Sequence, residues 1–478
     1  MDVLTAPVAL ATLAAAALTF IAIGLIAARG MQTGPRAHVT AYDSMSGPAT
    51  ASTVLATSLG AWILFAPAEI ATWGGLTAVI GYACAAAAPR FAHAVLGLRM
   101  RALMPRQVAM TDFLRRRFGR GMHGFGLVVM LFFLVTTVAA EVTGMALLLA
   151  LIAEVPLWLT AALTLAATLL YTAIGGLRAS ILTDRVQILV ILPALVAMVA
   201  MAAWQMQGFL PALRTVAAER PELVALGNLS GWQTAASLIL GLTATSLFNQ
   251  GYWQRVYAAR DSRALVGGFV TAGLAVMPIV LILGLMGFVA LGSGLADRPS
   301  VALFAVVLEA TPTWFAVIIV LLGVALVMSS ADTALNAISS IVTADLPRAF
   351  PALSGRRLLA LARWSGLIVA VPALLVAAQG WSVLYLFLLA NLFCVAAAGP
   401  AVVGLYSRHL SGRMAVWATA VGLIAGLALF PDPGMGRGHL LGAYVAALLL
   451  PLALMALSRI LAPRPLGQAF DFACLRTG

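Results

Sequence analysis

The chain has no lysine: all 28 of its basic residues are arginine. Charge of either sign is scarce, at 9% of 478 residues, against about a quarter in an ordinary soluble domain. A soluble fold this poor in charge has too few polar side chains to cover its surface, so a soluble enzyme or a nucleic-acid-binding domain is excluded as the main reading. The three cysteines (Cys84, Cys394, Cys474) stand far apart, two of them in apolar runs, so neither a disulfide framework nor a zinc site is indicated. The five histidines (His38, His93, His123, His409, His439) make no ligand spacing. Nucleophile elbow, HExxH and paired cysteines are all missing, which leaves an intramembrane enzyme without its parts.

What is abundant is apolar surface: 63% of the residues are hydrophobic and the mean hydropathy is +1.04. A bilayer span takes about 20 such residues. Apolar runs of helical length fall at 8–28, 48–70, 74–97, 124–153, 156–173, 185–206, 234–253, 265–292, 312–344, 359–378, 381–406, 413–430 and 439–461. The expected fold is therefore all-α and integral to the membrane, with about 13 transmembrane helices. The first run has no basic residue before it and reads as a retained span rather than a cleaved signal peptide.

The formal charge of +12 could suggest nucleic acid, but its location argues for membrane topology. With the amino terminus outside, the inner loops and inner helix ends hold Arg99, Arg101, Arg106, Arg115 to Arg117, Arg120, Arg178, Arg185, Arg255, Arg260, Arg263, Arg348, Arg356, Arg357, Arg408, Arg413 and Arg459. The outer loops hold only Arg214, Arg220, Arg298 and Arg437, and the remaining 24 of the 28, these 18 among them, are counted as inside or at inner ends. Positive charge on the inner side is the usual orientation signal. The expected location is the inner (plasma) membrane, with the carboxyl terminus cytoplasmic. The bilayer is the expected partner, with no nucleic acid and no obligate protein partner.

Two spans are interrupted. The second reads ATSLGAWILFAPAEIATWGG, with Gly60, Pro67 and Glu69 inside it; the seventh reads TATSLFNQGYWQR, with Asn249, Gln250 and Gly251. Interruptions five spans apart point to an inverted repeat whose broken helices line a midplane site, because unwound backbone at that depth must face protein or water. Two kinks without function are the plain alternative.

Acidic residues within or at the edge of spans mark ion or solute paths, since charge at the bilayer centre is costly. Glu69, Glu141, Asp184 and Asp332 are such residues. A solvated helix start is the alternative for Asp184, and a structural hydrogen bond the alternative for Asp332. The ninth span, VALVMSSADTALNAISSIVTADLPR, sets Ser329 and Ser330 beside Asp332. Hydroxyl and carboxylate oxygens are hard ligands suited to a cation such as Na⁺; Ser339 and Ser340 are explained by close helix packing. GRGMHG (Gly119 to Gly124) fits a dinucleotide fingerprint in letters only, because no strand precedes it.

Three stretches together resemble the sodium:solute symporter family: YTAIGGLRASILTDRVQ (Tyr171 to Gln187), NQGYWQRVYAARDS (Asn249 to Ser262) and SSADTALNAISSIVTADL (Ser329 to Leu346). The resemblance implies a leucine-transporter-type core of five plus five helices. Residues 1–47 would then hold the first helix and an inner loop, 48–206 the first inverted repeat (spans 2–6), 207–406 an outer loop and the second repeat (spans 7–11), and 407–478 two peripheral helices and a short cytoplasmic tail. It also implies a sodium site between the second and ninth spans. Its ligands would be the Ser329 and Ser330 side chains and the Ala56, Leu59 and Leu326 carbonyls. A second cation or proton site would involve Asp184, Asp332 and Thr333. Small hydroxyls are more usual in the family at the last two positions.

The implied activity is Na⁺-coupled symport of a small polar organic solute, with Na⁺ as the coupling ion and no enzymatic step. For the solute, site position favours Trp62, Glu69, Asn249 and Gln250 on the broken helices, with Glu141 on the fourth span. Core packing is the alternative for Trp62, and a helix–helix hydrogen bond for Glu141. MPRQVAMTDFLRRRFG (Met104 to Gly119) and NQGYWQR are loosely similar to the family's urea-transporter branch. A proton-coupled or uncoupled permease, and a membrane solute sensor on the same fold, stay open as alternatives. Sensors of this type carry a long signalling domain, where this chain has a short tail after its last span.

Overall fold

The computed structural model describes residues 3–28, 41–105, 110–206, 209–310, 312–353, 355–434, 436–461 and 469–476. His38 and Arg106 lie outside them, as does the side chain of Arg178. The described residues are helical almost throughout, with one isolated bridge, Met45 to Ala259, in place of a sheet. This is what hydrocarbon requires: without water to satisfy N–H and C=O, a span must bond its own backbone, and a helix does so.

The helices in chain order are α1 (Ala6–Ala28), α2 (Gly47–Ser58), α3 (Trp62–Leu103), α4 (Met110–Phe118), α5 (Arg120–Ala153), α6 (Leu157–Gln205), α7 (Leu210–Glu219), α8 (Pro221–Val224), α9 (Leu229–Ser246), α10 (Gln250–Ala258), α11 (Ser262–Gly292), α12 (Ala302–Ala310), α13 (Phe315–Ala349), α14 (Gly355–Trp364), α15 (Gly366–Ala377), α16 (Val383–Tyr406), α17 (Gly412–Leu429) and α18 (Leu440–Leu461). Among the described residues, ten helical segments are long and apolar enough to cross a membrane. The expected second, fifth and seventh spans are the ones that fall outside that ten. The second is split between α2 and the start of α3, the fifth is the shorter apolar segment Leu157–Ala173, and the seventh is split into α9 and α10.

Two long helices turn a glycine corner between consecutive expected spans: α3 joins the second half of the second span to the third, and α6 joins the fifth to the sixth. In α3 the corner is Gly75 (φ 74°), and in α6 it is Gly176 (φ 59°). Positive φ is cheap only for glycine, and at Gly75 a side chain would also strike the Leu223 carbonyl, 2.4 Å from an ideal Cβ.

Contacts between chain ends follow the alternation of spans. The N–H groups of Val3 and Leu4 donate to the Ile152 carbonyl at the far end of α5 (both 3.0 Å). On the opposite side, Ser44 and Met45 bond the Ala258 carbonyl, and Arg101 pairs with Asp43 at 2.8 Å. There too, Asp345 near the end of α13 accepts from Thr111 of α4, His123 of α5 and Arg348, each at 2.7 Å.

Candidate functional site

The second and seventh spans break in the same way. α2 ends at Ser58, Leu59 is extended (φ −96°, ψ 92°), and α3 begins at Trp62. α9 ends at Ser246, and Asn249 (φ −82°, ψ 95°) caps α10, its Oδ1 accepting from the Gly251 N–H at 3.0 Å. Both first halves finish on the tetrapeptide Ala-Thr-Ser-Leu, at 56–59 and at 244–247. Backbone released by the breaks must find partners. At the first break the Ala61 N–H donates to Glu141 Oε2 of α5 at 2.6 Å. Gly60 admits no side chain: an ideal Cβ would stand 2.0 Å from Glu141 Oε1 and 2.6 Å from Ser330 Oγ. Three separate elements therefore converge on one unwound turn.

A cavity of about 110 Å³ opens between the two breaks. Of the residues singled out from sequence, Trp62, Glu141, Asn249, Ser330 and Thr333 line it. The Trp62 indole donates to the Ser58 carbonyl at 3.1 Å and packs on Tyr82. Two other candidates are occupied elsewhere. Glu69 accepts from Ser382 Oγ at 2.8 and 3.0 Å, and Gln250 Oε1 accepts from the Met110 N–H at 2.8 Å, which ties α4 to α10.

Beside the cavity lies a charged cluster with no exposure. Asp184 and Arg255 form an ion pair at 3.0 Å with both side chains at 0%. Asp184 also accepts from Thr53 (2.6 Å) and Ser329 (2.8 Å). Arg255 donates onward to Thr333 Oγ1 at 3.0 Å. Asp332 accepts from Ser180 at 3.1 Å and from the Tyr171 hydroxyl. Asp184 is thus buried, and the solvated helix start does not apply to it. Ser329, Asp184, Asp332 and Thr333 form one hydrogen-bonded system in which Ser329 serves as a donor to Asp184.

Sequence reasoning missed two arginines. Arg255 sits near a helix end and counts toward the inner-positive bias, yet it is buried and paired. Arg90, in the apolar run AAAAPRFAHA of α3, is 4% exposed and lines the cavity. Its Nε donates to Ser58 Oγ at 2.8 Å, and its guanidinium lies 5.3 Å from the Tyr252 ring centre. The signal was available: a charge inside a span is as informative when positive as when negative. The repeated Ala-Thr-Ser-Leu was a second signal, since Thr57, Ser58, Thr245 and Ser246 all line the cavity.

Two helices broken at equivalent places around a shared cavity define a transporter with an inverted-repeat core. Comparison with known proteins agrees. The model of the sodium:solute symporter family matches residues 38–422. A Na⁺-coupled sialic acid symporter superposes with a TM-score of 0.78 at 18% identity, covering 95% of this chain and 98% of that one. Mhp1, a nucleobase-cation-symport-1 family transporter, follows at 0.56 and 16% identity, over 87% and 93% of the two chains. A curated relative, the spermidine transporter DUR31 of Candida albicans, is 24% identical over 393 residues, 79% of this chain and 71% of that protein. The chain belongs to the sodium:solute symporter family. It is a multi-pass membrane protein that couples Na⁺ to the movement of an organic solute, and it is not an enzyme.

Proposed function

We propose that the coupling Na⁺ binds where the first break meets α13, held by the Ala56, Leu59 and Leu326 carbonyls and the Ser329 and Ser330 hydroxyls. The observation that carries this is the crowding of Ser330 Oγ against Gly60 at the unwound turn. It sets a hard hydroxyl ligand of α13 beside the unwound turn that carries the Leu59 carbonyl. The transported solute, small and polar, occupies the adjoining cavity against Trp62, Glu141 and Asn249. Glu69 and Gln250 contribute outside it, by holding Ser382 and Met110. Asp184, Asp332 and Thr333 form a second cation or proton site, already linked to Arg255 by hydrogen bonds. The protein resides in the plasma membrane with its amino terminus outside, a reading supported by the arginine distribution.

The test is Na⁺-dependent uptake by the double variant Ser329→Ala/Ser330→Ala in proteoliposomes. Two of about five ligands are removed and no apolar group replaces them, so Na⁺ activation should be largely lost. Unchanged activation would sink the assignment.

A further inference from the structure

Arg90 and Glu141 are the two charged side chains that line the cavity, one of each sign. They are 4% and 1% exposed, and none of the ion pairs among the described residues includes either of them. Each is held by neutral groups. Arg90 bonds Ser58 Oγ and the Ala86 carbonyl and lies over the Tyr252 ring. Glu141 accepts the Ala61 N–H. These contacts orient the two groups without neutralising them. A buried charge lacking a counter-charge is unfavourable, and two of opposite sign facing one space are compensated together by a solute that carries both.

We infer that the solute is a zwitterion, with a carboxylate on Arg90 and an ammonium group toward Glu141. The proposal deepens the reading of this cavity as the solute site and rests on it. A guanidinium offers a planar fork of donors that matches a carboxylate in two parallel bonds. Ser58 Oγ takes the Nε–H and the Ala86 carbonyl an Nη1–H, which holds the plane of the guanidinium and leaves its other N–H groups for the carboxylate. Tyr82, Phe133 and Phe387 supply apolar walls for the carbon skeleton between the charged ends. A polyamine would bring positive charge to an unpaired arginine, and a neutral amide would leave the Arg90 charge uncompensated.

The test is a thermal-shift and uptake panel on the wild-type protein, in Na⁺ against K⁺ buffer. The probes are ω-amino acids from glycine to 6-aminohexanoate, the amine and the carboxylic acid of matching length, urea and spermidine. One or more amino acids should stabilise the protein and be taken up in Na⁺, well above either half-molecule. Arg90→Gln should weaken that probe about tenfold to 100-fold, the worth of a hydrogen bond to a charged group, and Arg90→Lys should recover only part. The inference is overturned if urea, amines or spermidine bind in Na⁺ and no amino acid does, if no probe binds, or if folded Arg90→Gln binds amino acids as well as wild type. Amino-acid binding that is equal in Na⁺ and K⁺ would instead remove the Na⁺-coupled reading and leave the solute class standing.

Discussion

Asp184 and Arg255 show how costly charges are kept inside a membrane protein. Both side chains are at 0% exposure, and the pair is completed by Thr53, Ser329 and Thr333. Removing one partner of such a pair leaves an uncompensated buried charge, at about 3–5 kcal/mol. Arg255→Gln should therefore unfold at clearly lower temperature in detergent, and adding Asp184→Asn should restore part of the loss. Stepwise additive losses in a thermal melt would refute the coupling. Asp332 has two hydroxyl donors and Thr333 beside it. Asp332→Asn should lower apparent Na⁺ affinity, or the charge moved per solute, if the carboxylate serves a cation. If it carries a proton, the same change should remove the pH dependence of uptake and spare its Na⁺ dependence. Charge-to-solute flux ratios across pH separate the two, and wild-type values throughout would leave Asp332 a purely structural hydrogen-bond acceptor.

At the scale of elements, the broken helices depend on glycine where backbone and side chain meet closely. Gly60→Ala would drive a methyl group into Glu141 and Ser330, so Na⁺-dependent uptake should fall to background although the protein still inserts. Gly75→Ala combines a left-handed φ with a clash on the Leu223 carbonyl, and should reduce stability by more than the roughly 1–2 kcal/mol that a left-handed φ alone costs a residue with a Cβ. Gly124→Ala is the control, because nothing lies within 4 Å of its ideal Cβ. Equal effects at Gly60 and Gly124 in side-by-side uptake would show that the convergence at the first break has no functional weight. Asn249 has a double role: it lines the cavity and caps α10. Asn249→Ala should weaken solute binding more than Na⁺ binding, while Asn249→Asp, which keeps the cap, should fold as well as wild type. Equal loss of both ligands in equilibrium binding would reduce Asn249 to a cap.

For the whole molecule, alternating access moves one helix bundle against the other around a fixed midplane site. A Na⁺ that binds the folded protein alone stabilises it by mass action. Each tenfold rise in Na⁺ above its dissociation constant adds about 1.4 kcal/mol per bound ion. The apparent melting temperature should therefore climb with the logarithm of Na⁺ and stay flat in K⁺. A second coupled ion would double the slope, and equal curves in the two salts would contradict specific Na⁺ binding. The bonds that Asp345 accepts from α4 and α5 tie the ends of three helices together on one side. Asp345→Asn should loosen that side and raise accessibility of the cavity from it, as read by labelling of an introduced cysteine.

The sequence alone determined the solvent, the run of spans and the place of the two breaks. These depend on local composition: hydrocarbon rejects charge residue by residue, and a glycine or asparagine interrupts a helix where it stands. It also placed Ser329, Ser330 and Asp332 together, because they lie within one turn of one helix. Tertiary structure decided which distant side chains became partners. Glu69 and Gln250 sat on the right helices, yet they turn to Ser382 and Met110, residues 313 and 140 positions away. Arg90 meets the cavity and Arg255 meets Asp184 only because packing brings α3, α6, α10 and α13 around a common centre. Hydropathy records how much charge a span can bear, whereas the identity of the group that balances it is set by the neighbour that packing supplies.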